Sequence, residues 1–250
     1  MSKRAVTKKA ALKTRASRAP RRRASAPKPA EIASIEIVRD DAALKRPDDG
    51  FLHLKRLTLV NVYGDGARSA PYPCDMVSRA RQDAVAVVVW GRGGNGKVQV
   101  VLRENLRPPV YLRRGKTFVQ PDAHAYTLVA EIVAGLIEPG DEGPHGIARR
   151  AALEVAEEVG WKVEPSAIRP LGAPLFASPG ITDEKVHFRH VEVDLKRRGT
   201  PSGDGSIMEE AGRVLVLPLA EALERCRSGA MPDMKSEVGL GRLSEVVART

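Results

Sequence analysis

Between Asp83 and Trp90 the chain reads DAVAVVVW, a run of small and β-branched apolar residues with almost no polar break. A strand uses such a run only where both of its faces are covered, so the pattern predicts a strand in the middle of a sheet. GRGGNGK follows as a turn and VQVVLREN as the returning strand, which makes a hairpin. Upstream, IEIVRDD and LHLKRLTLVNVYGDG read as short strands, and PYPCDMVSR as a connection broken by Pro71 and Pro73. Downstream, LRPPVYLRRGKTF is a loop, AYTLVAEIVAG a strand that stops at Gly135, and LIEPGDEGPHG a turn-rich loop. IARRAALEVAEEVG carries the strongest helical pattern, with Gly160 placed as its stop. SAIRPLGAPLFASPG mixes strand and loop, and VHFRHVEVDL alternates as a strand. EAGRVLVLPLAEALERCRSG gives a strand, then Pro218, then a helix, and a short helix runs from Ser236 onward. Strands outnumber helices, so the class is α+β, a mixed sheet with helices packed on its faces.

Gly91, Gly93 and Gly96 fit the G-x-G-x-x-G spacing of dinucleotide-binding turns. That use requires a helix next, with its N-terminus facing the pyrophosphate. A strand follows instead, so these glycines serve a hairpin loop.

Charge changes the picture only once it is located. The net charge is +10, but residues 1 to 30 hold 11 Lys or Arg and no acid, leaving 30 bases against 31 acids in the rest. Residues 1–34 therefore read as a disordered basic tail, too poor in apolar surface to offset ordering entropy. Weak, salt-sensitive contact with polyanions suits such a tail. The remainder, 35–250, reads as one domain with its core at about 81–225; it offers no electrostatic footprint for nucleic acid. The chain has no apolar run long enough to span a membrane. Cys74 and Cys226 lack metal-ligand spacing and fit a reducing, cytoplasmic setting. His53, His124, His145, His187 and His190 form no zinc pattern.

AALEVAEEVGW places Glu154, Glu157 and Glu158 at i, i+3 and i+4, where like charges on one helical face repel. A hard divalent cation such as Mg²⁺ relieves that repulsion and takes carboxylate oxygens together with substrate phosphates. With its context, the segment resembles the Nudix hydrolase family. LEVAEEVGW supplies the family's box glutamates and glycine in register, and EIVAGLIEPGDE resembles the lead-in of its ADP-ribose pyrophosphatase branch, matching at Glu131 and Gly135, with Asp141 or Glu142 near the loop glutamate. Arg107 in ENLRPPV, the loop SPGITDE ending at Glu184, and EEAGRVLVLPLAEAL resemble further parts of that branch.

The resemblance implies a mixed sheet sandwiched between helices, with an N-terminal strand extension, and a homodimer. It implies Mg²⁺- or Mn²⁺-dependent hydrolysis of ADP-ribose or a related nucleoside diphosphate sugar. Metal would be held by Glu154, Glu157, Glu158 and the carbonyl of Ala134. Arg107, Glu131 and Glu184 would contact substrate, and Glu209 or Glu210 would act as base. Two departures stand out. Leu153 occupies the box arginine position, and Gly135 precedes Glu154 by 19 residues, four more than the family spacing, with GPHG (Gly143 to Gly146) carrying the extra length. Arg150, four residues before Glu154, is the expected stand-in for the arginine. The same departures suit an alternative, a catalytically silent nucleotide-sugar sensor tethered to nucleic acid by the tail.

Overall fold

The computed structural model describes residues 50–203 and 212–249. The IEIVRDD segment, the basic tail, Glu209 and Glu210 all lie outside the described residues. The described chain starts with a two-stranded antiparallel ribbon, β1 (His53–Leu59) and β2 (Tyr72–Ser78). β2 is the segment the prolines predicted to be a connection. Both strands of a ribbon are edges, so Pro73, opposite Thr58, can sit where no ladder donor is needed. The ribbon is tied to the rest of the chain where the Val77 N–H donates to the Ile181 carbonyl at 2.8 Å.

β3 (Ala84–Arg92) is buried along almost its whole length, as its apolar run requires. It forms a hairpin with β4 (Val98–Asn105), but the two strands pair only near the turn, from Val89 opposite Val101 to Arg92 opposite Val98. Beyond that they part, and the AYTLVAEIVAG segment fills the gap. It is two strands rather than one: β5 (Val129–Glu131) pairs with β4, and β6 (Val133–Leu136) pairs with β3. The break falls at Ile132, whose N–H donates instead to the Ser236 hydroxyl at 2.9 Å. The loop after Arg107 contains a short helix, α1 (Pro108–Tyr111).

β9 (Lys185–Glu192) runs parallel to β3, and the two-residue strands β7 (Arg169–Pro170) and β8 (Leu175–Phe176) lie against it. β10 (Val214–Pro218) closes the other edge against β4. α2 (Gly143–Glu154) covers one face of this sheet; Val85, Val87 and Val89 of β3 point into that side with Ala151, Val155 and Val159. α3 (Leu219–Arg227) and α4 (Met234–Val247) cover the other face, where Ala86, Val88 and Trp90 meet Ala222, Leu240 and Leu243. The expected mixed sheet between helices is therefore present. α4 is longer than the short helix expected from Ser236, because it begins on Asp233, whose carboxylate accepts the Ser236 N–H at 2.9 Å.

Candidate active site

α2 begins at Gly143, so the four extra residues GPHG form its first turn. Four residues are close to one helical turn, so the insertion lengthens the helix while leaving the downstream side chains facing much the same way. After Glu154 the helix widens into a π turn over Val155–Val159, in which the Gly160 N–H donates to the Val155 carbonyl at 3.1 Å, five residues back. Gly160 ends it with φ of +85°, a conformation that favours glycine. The π turn turns Glu157 and Glu158 away from the positions a regular helix would give them, a device common at functional sites. Glu158 is buried, while Glu154 and Glu157 are half-buried.

Gly135 explains the position of Glu154. A Cβ on that glycine would sit 2.0 Å from the Glu154 carboxyl carbon, so only a bare backbone admits the carboxylate there. Arg150 lies on the same side. Its Nη1 is 3.9 Å from Glu154 Oε1, and its Nε donates to Asp141 Oδ2 at 2.7 Å. Asp141, 4 % exposed, also accepts Arg149 Nη2 at 2.9 Å and the Glu138 N–H at 3.1 Å. Burial alone would push the Asp141 carboxyl up; the bonds from Arg150, Glu138 and Arg149 outweigh it and hold it below the usual carboxylate range. Arg150 is raised despite its own burial, by Asp141 first and Glu154 after it. Leu153, in the family's arginine position, is 44 % exposed and carries no group that can pair with these acids.

A second ionic group borders the glutamates. Arg107 donates to Glu131 through Nε at 2.7 Å and Nη2 at 2.8 Å, and this pairing leads the rise in its pKa, with Glu158 adding to it through space. Glu131 is itself buried and lies 3.5 Å from Lys235 Nζ, which reaches Asp233 at 2.6 Å. Glu131 thus holds Arg107 rather than facing open cleft. Lys235, Asp233 and Ser236 escape a reading along the chain, because contacts with Glu131 and Ile132, 104 residues away, leave no local trace; an Asp three residues before Ser236 is the N-cap signal that could have found them.

Other expected residues fall elsewhere or in part. Glu184 bonds Arg79 and so helps latch the ribbon to the sheet. Ala134 lies in β6 opposite Ala86, one residue before Gly135. The carboxylate and carbonyl oxygens of Glu154, Glu157, Glu158 and Ala134 suit a hard cation. Among the described residues, however, no three His, Cys, Asp or Glu side chains already converge as a metal-holding group.

A mixed sheet between helices, with an acid-rich helix end laid on a bare glycine, is consistent with a Nudix-like fold. No protein-family model matches the chain. It is similar, at 30 % identity over 145 residues, to the GDP-mannose pyrophosphatase of Klebsiella pneumoniae, a match spanning 58 % of this chain and 68 % of that protein. The chain belongs to the Nudix hydrolase family. The GDP-mannose pyrophosphatases of Cronobacter sakazakii, at 27 %, and Salmonella typhimurium, at 29 %, each align over 150 residues, 60 % of this chain and 73 % of theirs. Among the described residues no helix is long and apolar enough to cross a membrane.

Proposed function

We propose that the protein hydrolyses the pyrophosphate bond of a nucleoside diphosphate sugar, releasing a nucleoside monophosphate and a sugar phosphate. The observation that carries this is Glu154 seated on Gly135 with Arg150 beside it, which keeps the box acid in place despite the loss of the family arginine. The relatives' names favour GDP-mannose as substrate, and the lead-in segment favours ADP-ribose. Glu154, Glu157, Glu158 and the Ala134 carbonyl would hold Mg²⁺ or Mn²⁺. When bound, the ion neutralises phosphate oxygens and lowers the pKa of a water.

The chain's own groups do the rest. Arg150 and Asp141 fix Glu154. Glu131, itself paired with Lys235, fixes Arg107, whose remaining N–H groups offer a fork to a phosphate. Glu209 or Glu210 would take the proton from the attacking water. Arg150 at Glu154 favours the hydrolase over the alternative, a silent nucleotide-sugar sensor. By resemblance the protein works as a cytoplasmic homodimer, which light scattering would read as twice the chain mass, and the basic tail makes weak polyanion contacts.

The test is incubation with GDP-mannose or ADP-ribose, with and without Mg²⁺, followed by detection of GMP or AMP. Release that needs the metal and vanishes in Glu157→Gln and Glu158→Gln supports the proposal. No monophosphate from either substrate would sink it.

A further inference from the structure

The chain leaves β4 after Asn105 and rejoins the sheet at Val129, and the ion pair between Arg107 and Glu131 closes the base of the loop. Within the loop lies a cleft of about 640 Å³, a size that suits a sugar or base bearing a charged group. Several of its wall residues are held by hydrogen bonds and ring contacts. Arg113 donates to Asp122 at 2.8 and 2.7 Å and lies 4.0 Å over the Phe118 ring. Arg114 lies 4.4 Å over the Tyr111 ring and donates to Thr127 Oγ1 at 2.7 Å. The Tyr126 hydroxyl donates to the Gly229 carbonyl at 2.7 Å, tying the far wall to the connection between α3 and α4.

The charges in this cleft do not balance. Asp122 answers Arg113, but Arg114 and Lys116 form no ion pair among the described residues. An exposed arginine normally samples many rotamers. Arg114 is steadied by a ring and a hydroxyl, so less entropy remains to be lost when it binds. A steadied guanidinium with a lysine lining the same cleft is a prepared site for a carboxylate or phosphate. The loop also hangs from the same Arg107–Glu131 pair that borders Glu158.

We infer that this cleft receives an anionic group at one end of the substrate, a carboxylate or a phosphate monoester beyond the diphosphate that is cut. The inference rests on the hydrolase reading above and narrows its substrate class. Two substrate pairs separate the sources: UDP-glucuronate against UDP-glucose for the sugar end, and ADP-ribose 2′-phosphate against ADP-ribose for the nucleoside end. Calorimetric binding is measured with Mg²⁺ in a Glu157→Gln background, and kcat/KM in the active protein, each with and without Arg114→Gln/Lys116→Gln. The expected result is an anionic member favoured at least about tenfold in one pair, with the ratio falling to near one in the double variant. Equal values within both pairs, or a ratio the double variant leaves intact, overturns the inference. A retained binding ratio without turnover on any substrate sinks the hydrolase reading and keeps the cleft as an anion site.

Discussion

Gly135 and Arg150 act on the same carboxylate, one by leaving room for it and the other by its charge. Gly135→Ala puts a methyl group where the Glu154 carboxylate sits, 2.0 Å from its carbon. The side chain must swing away; hydrolysis is expected to fall about a hundredfold or more, with about 1–3 kcal/mol lost to overpacking in urea unfolding. Arg150→Ala removes a supporting group, not one that meets substrate, and should lower kcat about ten- to a hundredfold. Arg149→Ala, which loses bonds to Asp141 and to the Gly140 carbonyl but none to Glu154, should cost less than about threefold. The opposite ranking would show that Arg149 holds the site. Cys226 gives a separate check on burial. Its thiol is pushed up to about 11, chiefly by burial, so at pH 8 alkylating reagents should label it only after unfolding, as mass spectrometry would show.

At the level of elements, the structure depends on how the segment between β3 and β4 is pinned. Ser236, at the start of α4 and wholly buried, accepts the Ile132 N–H exactly where β5 gives way to β6. Ser236→Ala leaves that N–H buried without a partner and should cost about 1–3 kcal/mol in denaturant unfolding. It should also loosen Arg107, raising KM more than it lowers kcat. This pin shows where reading the chain succeeds and where it stops. The apolar run of β3, the β3–β4 hairpin and the helical period of α2 depend on neighbours in sequence, so each was legible. The i,i+4 spacing likewise brought Arg150 to Glu154. The break at Ile132 depends on a hydroxyl 104 residues away, and the strand character of β2 on an edge that tolerates proline. The π turn shifts one hydrogen bond without altering any residue pattern, so nothing in the sequence announced it.

For the molecule as a whole, the acid side of its stability curve has an identifiable source. The Asp141 carboxyl is depressed in the folded state, so its contribution is fully present above the ordinary carboxylate range near pH 4 and is lost as pH falls through its lower folded value. Unfolding measured from pH 7 down to pH 3 should therefore show a loss that Asp141→Asn largely removes. That variant should also be less stable at pH 7 by about 2 kcal/mol, since it breaks a largely buried ionic pairing. One strand sends alternate side chains into both apolar layers: Val85, Val87 and Val89 to one, Ala86, Val88 and Trp90 to the other. Neither helical layer can detach without exposing a side of β3. The two halves of the interior should then melt together in a single transition, and amide protons along β3 should exchange with solvent only when the entire domain opens.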